Sequence, residues 1–275
     1  MIKKILIPIF GITLVLNSFG QNVGQTGDEI KNYTDINGMK QGPWEVKHPN
    51  GQIAYIGYFK NNKPIGKFTR YYESGKLFSE AYFYDDSKYS SVKMYNTAER
   101  MIGRGRYCDQ NKDSIWIFYL DNGMQIAQEE YNNGILHGIS KTFYYPSGNL
   151  HEIIPYKDGK RHGLYEKYYS DGRIRMRATY CDGSMCDTMK LYYPSGRIES
   201  VIPYKNDLRN GVEINYSESG KVTSTIPYEN GRCTDPAIEL QKSKELEEIE
   251  QLKGTFPDIN QFEDPLDFLR KPLGR

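Results

Sequence analysis

Short stretches of the chain alternate between mainly hydrophobic and mainly polar positions. The clearest examples are residues 173–180, 197–204 and 221–228. A period of two residues is typical of a β-strand that packs one face and exposes the other to water. The first stretch predicts a strand with Ile174, Met176, Ala178 and Tyr180 on its packed face and Arg173, Arg175, Arg177 and Thr179 on the other.

These strands belong to a repeat with a period of 24 residues. An aromatic residue, called here the anchor aromatic, closes each unit, and every interval is 24 residues except one of 25 between Tyr131 and Tyr156. A turn glycine lies eight residues earlier, except in the third unit, where Glu99 takes its place. Such a period indicates a repeat architecture. The anchor aromatics are Phe59, Phe83, Tyr107, Tyr131, Tyr156, Tyr180, Tyr204 and Tyr228, and the glycines are Gly51, Gly75, Gly123, Gly148, Gly172, Gly196 and Gly220.

A second turn follows each anchor aromatic, as in Asn133-Gly134 and Asp158-Gly159. Asn-Gly and Asp-Gly pairs reach positive φ at low cost and therefore suit tight hairpins. Two strands per unit, about 4.8 Å apart, advance roughly 10 Å, so eight units span on the order of 75–80 Å. The sequence predicts an all-β fold, namely an elongated single-sheet solenoid of about eight β-hairpin repeats over residues 35–233.

The repeat resembles a known family. Its pattern, x-G-x-x-x-G-x-[WFY]-x-x-Y-[YF]-x-x-G-x-[IL], is visible from Asn37 to Trp44, from Asp158 to Tyr165 and in the turns 144–148 and 192–196. This pattern resembles the MORN repeat in its bacterial variant form, over roughly residues 35–231. The resemblance implies a β-hairpin repeat protein, of a kind often labelled an antitoxin component of toxin–antitoxin systems.

Some units depart from the pattern. Ser90 and Ser114 replace the leading glycine of units three and four, Glu99 replaces a turn glycine, and Asp187 replaces the leading glycine of unit seven. We therefore expect a bulge or bend in units three and four. The single extra residue of the 25-residue interval is placed between Gly138 and Tyr144.

The amino terminus has the pattern of an export signal over residues 1–20. Lys3 and Lys4 precede an apolar run of about a dozen residues, and Ser18 and Gly20 are small residues before a cleavage site at Gln21. The run is short for a transmembrane helix, so we expect no integral membrane span after cleavage; the alternative is an uncleaved anchor. Residues 21–34 are a predicted linker. We expect the mature protein in the periplasm, outside the cell or at the cell surface of a bacterium.

The carboxyl-terminal tail, residues 234–275, changes to a helical pattern. Asp235 and Pro236 form a capping pair, and a charged helix from Ile238 to Lys253 ends at Gly254. The end of a solenoid exposes an unpaired strand edge, so a helical cap is expected. A helix that docks a partner and a disordered tail are the alternatives.

Candidate chemistry is sparse. The formal net charge is +1, and removal of the leader makes it −1, so we expect no nucleic-acid partner. His137 and His162 share a repeat position about 10 Å apart, too far for one metal ion, and we expect no metal or cofactor.

Ser90 and Lys93 fit a bare S-x-x-K pattern without its companion motifs, so we expect no enzyme. Cys181 and Cys186 flank one turn, where either a disulfide or two thiols is possible.

An extended protein surface remains the best functional prediction. Repeat arrays present long rigid faces, and tyrosine and arginine are enriched at binding hot spots. We expect a non-enzymatic exported protein that binds another protein or an envelope macromolecule. An antitoxin-like binder that masks a toxin and a carbohydrate-binding or carbohydrate-active envelope protein are the alternatives. The candidate binding residues are an aromatic column, Tyr72, Tyr145, Tyr169 and Tyr193, with Arg173, Arg175 and Arg177 beside it.

Overall fold

The computed structural model describes residues 30–85 and 87–252. The predicted leader, most of the linker and the tail beyond residue 252 lie outside the described residues. The described part is an array of antiparallel β-strands followed by one helix, which confirms the predicted all-β repeat fold. No helix among the described residues is long and apolar enough to cross a membrane.

Successive strands pair as hairpins along the array. In the first four units each strand is continuous, and the ladder runs strand by strand from β1 to β9. From the fifth unit onward the first strand of a unit is split in two. Both pieces pair with the strand before them, as β10 and β11 pair with β9. The elements are β1 (Tyr33–Thr34), β2 (Lys40–Lys47), β3 (Ile53–Lys60), β4 (Lys63–Tyr71), β5 (Leu77–Phe83), β6 (Tyr89–Tyr95), β7 (Met101–Cys108), β8 (Asn111–Tyr119), β9 (Gln125–Asn132), β10 (Ile135–Leu136), β11 (Gly138–Phe143), β12 (Leu150–Lys157), β13 (Lys160–Arg161), β14 (Gly163–Tyr168), β15 (Ile174–Cys181), β16 (Ser184–Met185), β17 (Met189–Tyr192), β18 (Ile198–Ile202), β19 (Tyr204–Lys205), β20 (Leu208–Arg209), β21 (Gly211–Tyr216), β22 (Val222–Glu229), β23 (Arg232–Cys233) and α1 (Pro236–Leu252).

One face of the sheet, called the packed face, holds the core. Its middle positions alternate between large and small residues on neighbouring strands. Trp44 lies opposite Gly57, and Phe68 lies opposite Ala81. A methyl group at Gly57 would come within 2.1 Å of the Phe68 ring, so the glycine makes room for that ring. Each large ring is therefore buried by the hairpins on either side of it.

The most buried side chain of the described residues is Trp116, which is fully inaccessible. Its ring lies over Gly105 and 4.9 Å from the ring of the anchor aromatic Tyr107. Its indole Nε1 donates a 2.9 Å hydrogen bond to the Arg106 carbonyl, which satisfies the one polar group of the ring. Farther along the array Ile154, Tyr165 and Ala178 form the equivalent cluster.

The two turns of each unit form the two long edges of the array. The first-turn edge holds the repeat glycines and comprises the turns 48–51, 72–75, 96–99, 120–123, 144–148, 169–172, 193–196 and 217–220. The second-turn edge comprises residues 61–62, 109–110, 133–134, 158–159, 182–183, 206–207 and 230–231. At the second-turn edge, a backbone N–H bonds to the preceding unit, as from Gly134 to the Lys112 carbonyl at 2.7 Å and from Gly231 to the Arg209 carbonyl at 2.9 Å. These bonds join neighbouring units where the strands end.

The bulge expected in units three and four is present, but it is not specific to these units. Glu99 and Ser114 keep the left-handed backbone of the glycines they replace, with φ of 60° and 58°. A left-handed non-glycine residue costs about 1–2 kcal/mol, which a well-packed neighbourhood offsets. Strands β6 to β9 pair in sequence with a register shift between Arg104 and Arg106, and this shift has a counterpart between Ile56 and Tyr58 in an earlier unit.

The extra residue of the fifth unit also lies elsewhere than predicted. Phe143 pairs with Leu150 as Tyr168 pairs with Ile174 in the next unit. The Tyr144 N–H then bonds to the Asn149 carbonyl across a turn that is one residue longer than the others. The insertion is therefore Tyr145, inside the turn, because a loop can absorb a residue that a paired strand cannot.

The structure contains a disulfide between Cys181 and Cys186, whose Cα atoms are 5.7 Å apart. It closes the second turn between β15 and β16. Cys108 and Cys233 are thiols, the first of them buried. Since the loop between the bonded cysteines is short, the bond constrains this one turn and not the array as a whole.

Helix α1 follows the last hairpin. The Asp235 carboxylate accepts a 2.9 Å hydrogen bond from the Ala237 N–H and so caps the helix start, as predicted. Ile238 is half-buried, and helix α1 contacts β23. Beyond this first turn the apolar residues Leu240, Leu246 and Ile249 are about 60% exposed. The helix thus contacts the end of the sheet with its first turn.

Two glycines of β7 test the packing of the core. Gly105→Ala puts a methyl group 2.4 Å from the Trp116 ring, and we expect the free energy of unfolding to fall by about 1–3 kcal/mol. Gly103→Ala is the matched control, because its methyl would lie 3.5 Å from the nearest atom. Denaturant unfolding followed by circular dichroism measures both. Equal stability of the two variants would contradict the packing described above.

Candidate functional site

The predicted aromatic column lies along the first-turn edge, where its hydroxyls join one repeat to the next. Tyr169 donates a 2.7 Å hydrogen bond to the Tyr192 carbonyl, and Tyr193 donates one of the same length to the Tyr216 carbonyl. Tyr72 bonds to the Tyr95 carbonyl at 2.8 Å. All three donors are half-buried. Their structural contribution is a repeated bond between neighbouring units.

Tyr145 does not belong to this column. Tyr144 occupies the equivalent position and donates to the Tyr168 carbonyl at 2.7 Å. In the first unit, the Nε2 atom of His48 is 3.0 Å from the Tyr71 carbonyl and replaces the hydroxyl. Tyr145 is 66% exposed, since it is the inserted residue of its turn. Sequence reasoning chose the wrong tyrosine of an adjacent pair.

The three candidate arginines have different surroundings. Arg173 pairs with Asp171 of its own turn at 2.6 Å, and this hydrogen bond lowers the pKa of the Asp171 carboxyl. The Arg175 guanidinium lies 5.7 Å from the centre of the Tyr169 ring. Arg177 pairs across the hairpin with Glu166 at 2.9 Å. Arg173 and Arg175 are exposed, whereas Arg177 is half-buried; Arg173 and Arg177 are both ion-paired.

Glu166 also accepts a 2.8 Å hydrogen bond from the Tyr168 hydroxyl. Burial of the phenol, together with this carboxylate, raises the pKa of Tyr168 to about 12. The phenol therefore stays protonated and keeps donating at any physiological pH. In an earlier unit the Tyr95 hydroxyl donates at 3.0 Å to Glu80, which lies on the preceding strand. Both carboxylates therefore accept a hydrogen bond from a tyrosine hydroxyl.

A row of cations on the packed face was missed by the sequence reasoning. The Lys112 ammonium lies between three rings, 4.8 Å from the centre of Trp116, 4.7 Å from Phe118 and 5.0 Å from Tyr131. Burial lowers the pKa of Lys112. Lys40, Arg161 and Arg209 lie over rings in the same way, 4.3 to 5.3 Å from the ring centres. All four stand nineteen residues before an anchor aromatic, which is a signal that the sequence contains.

Carboxylates on the packed face are engaged by neighbouring side chains. The Tyr131 hydroxyl donates to Glu129, and burial together with this carboxylate raises the pKa of Tyr131. Glu213 is buried and pairs with Arg209 at 3.0 Å. No group of three or more His, Cys, Asp or Glu side chains in the described ranges could hold a metal ion. The packed face is therefore a core surface on which these charged groups are bonded to neighbouring side chains.

The opposite face, called the open face, carries a row of exposed apolar side chains. Residues one and sixteen positions before an anchor aromatic lie opposite each other, as Leu164 and Thr179 do. In the fifth unit the inserted residue makes the second distance seventeen, so Ile139 lies opposite Pro155. They therefore form one line along the array, close to the second-turn edge. The exposed apolar side chains on this line, called the apolar row, are 37–52% exposed and comprise Tyr58, Tyr82, Ile115, Ile139, Leu164 and Val212. Lys67, Arg106 and Glu130 occupy other positions of the same line.

Hydroxyl removal tests the role of the first-turn tyrosines. We expect Tyr169→Phe and Tyr193→Phe each to lower the free energy of unfolding by about 0.5–1.5 kcal/mol, because each leaves a half-buried carbonyl without its donor. Tyr145→Phe is the control and should leave stability unchanged, since this exposed side chain lies outside the column. Chemical denaturation measures the three variants. A loss in the control as large as in the others would refute the assignment.

Comparison with known families matches six segments of the chain to the MORN repeat variant: residues 40–61, 64–86, 136–158, 161–182, 188–206 and 209–230. The unmatched interval between residues 87 and 135 holds the departures at Glu99 and Ser114. The backbone is nevertheless repeated there, so the structural array is longer than the matched one. No curated protein matches the chain.

Proposed function

We propose that this chain, a MORN-repeat protein, is exported and binds an extended segment of another protein along the apolar row without catalysing a reaction. The observation that carries the proposal is the exposed apolar row itself. Six apolar side chains share one line on one face of a sheet, whereas most exposed apolar residues of soluble proteins are scattered. An ordered line of this kind fits a protein ligand.

The spacing of the apolar row indicates which kind of segment could bind along it. Adjacent units are about 9.4–9.8 Å apart, because each contributes two strands. A polyproline II segment advances about 9.3 Å in three residues. An extended segment with an apolar or proline residue at every third position would therefore place one side chain on each unit. The central members Ile115, Ile139 and Leu164 occupy three consecutive units and are the best place for it.

Other surfaces of the described residues offer less to a ligand than the apolar row does. Trp116 is fully buried and Tyr165 nearly so, and neither offers a platform on which a sugar ring could stack. The cations of the packed face lie over rings, and Arg209 is paired with a carboxylate. A toxin would be one protein partner among others for the same row. The leader at residues 1–20 supports an envelope location for the interaction.

Partner capture tests the row against the first-turn edge. We expect Ile115→Ser, Ile139→Ser and Leu164→Ser, combined in one protein, to reduce recovery of the partner from native envelope fractions at least tenfold. A matched triple variant, Tyr145→Ser with Arg173→Ala and Arg175→Ala, should retain it. Circular dichroism establishes that both variants fold. The reverse result would transfer the binding site to the first-turn edge.

Export has its own test. We expect the protein isolated from its host to begin at Gln21 and to fractionate with the periplasm, the cell surface or the medium, because residues 1–20 have the features of a cleaved leader. Amino-terminal sequencing and fractionation measure this. Full-length protein that begins at Met1 in the cytoplasm would reject export and favour the antitoxin-like alternative.

A further inference from the structure

The second-turn edge departs from its repeat in unit seven. In units five, six and eight the leading glycine has a positive φ, of 102° at Gly138, 112° at Gly163 and 124° at Gly211. Unit seven has Asp187 at this position, and its φ is not positive. Glycine adopts such a backbone freely, whereas a residue with a side chain rarely does. The chain therefore follows a different path through Asp187.

This different path leaves part of the ladder unformed. In units five, six and eight, the leading glycine and the residue after it both pair with the next strand. In unit seven, β17 begins only at Met189, and in the described part of the chain neither Asp187 nor Thr188 pairs with a strand. The Thr188 N–H bonds to the Asp187 carboxylate at 2.6 Å. Strand β19, on the far side of the gap, pairs with β20 in a separate two-stranded sheet.

The disulfide lies directly beside this gap. Cys186 precedes Asp187, and its bond to Cys181 ties it to the opposite side of the turn. The Cys186 N–H donates to the Thr179 carbonyl at 3.1 Å, a bond that the residue before the glycine makes at 2.9–3.0 Å in units five, six and eight. Of these four units, the one that lacks the glycine and the pairs after it is the one that contains the disulfide.

The hairpin that the disulfide closes supports the next unit. The Met185 N–H donates to the Asp207 carboxylate at 2.7 Å, and the Asp207 N–H donates to the Met185 carbonyl at 3.0 Å. Met185 also packs against the core cluster of Ile154, Tyr165 and Ala178. If this hairpin opens, the second turn of unit eight therefore loses both hydrogen bonds to Met185.

We propose that the Cys181–Cys186 disulfide takes the place of the leading glycine of unit seven and makes the second-turn edge of units seven and eight a redox-sensitive switch. A dithiol reductant gives up its two S–H hydrogens and becomes a disulfide, while Cys181 and Cys186 become thiols. Cys181 is exposed and can be attacked by such a thiol. The reduced hairpin has neither the bond nor the ladder pairs that hold its counterparts closed, and it opens.

The switch lies beside the proposed binding row. Thr188 stands sixteen positions before Tyr204, on the line of the apolar row between Leu164 and Val212. Opening therefore alters the row beyond Leu164 and leaves its central members on paired strands. The switch itself does not depend on which ligand the row binds.

Hydrogen exchange of the mature full chain, followed by mass spectrometry, tests the switch. We expect dithiothreitol to speed amide exchange roughly tenfold in residues 180–188 and 204–209, because the bond no longer limits opening of the hairpin. Residues 156–163 of unit six contain no cysteine and are the internal control, whose exchange should not change. Unchanged exchange in residues 180–188 after complete reduction would overturn the proposal, as would an equal rise in the control segment.

A glycine substitution tests whether the disulfide replaces the glycine. Cys181→Ser combined with Cys186→Ser should exchange like the reduced protein. Adding Asp187→Gly should restore exchange to within about threefold of the oxidised wild type, because glycine can adopt the backbone of Gly163 and Gly211. Adding Asp187→Ala instead is the matched control and should restore nothing. Slow exchange in the double serine variant, or equal exchange in the glycine and alanine variants, would reject the replacement.

Discussion

A single sheet has no second layer to close its core, so every large side chain must be buried by neighbours on its own face. The alternation of Trp44, Gly57, Phe68 and Ala81 across adjacent strands meets this constraint. Each ring uses the space that a small residue leaves on the next strand. The array therefore gains stability at the junctions between hairpins, and a lone hairpin would bury very little.

The same constraint explains why polar groups are so regular. Hydroxyls at the first-turn edge and backbone N–H groups at the second-turn edge donate hydrogen bonds from one unit to its neighbour. Cations over the anchor rings cover the side of the core that would otherwise face water. With both edges and the packed face engaged in this way, the open face is the part of the surface whose side chains are least committed to holding the array together.

The period and the turn chemistry of the sequence were sufficient to predict the fold, because Asn-Gly and Ser-Gly turns allow few backbone paths. They could not locate the insertion, since Tyr144 and Tyr145 are identical residues and only the hydrogen bonds distinguish them. They also could not predict that Glu99 and Ser114 would adopt a glycine-like φ, because the outcome depends on the packing of the surrounding strands. For the candidate site, the sequence identified exposed Arg173 and Arg175 but placed three bonded tyrosines among the binding residues. The apolar row required the register, which shows which positions on neighbouring strands share a line.

The turn that contains Tyr145 shows that a loop of this array can change its length without shifting the register of the strands beside it. One added residue changes the outline of the first-turn edge, and the strands on both sides keep their pairing. Loops on that edge can therefore diverge, or accept a peptide tag or a fluorescent label, while the distances along the sheet stay fixed. The paired strands thus fix the spacing along the molecule, while the sequence and length of the first-turn loops can vary.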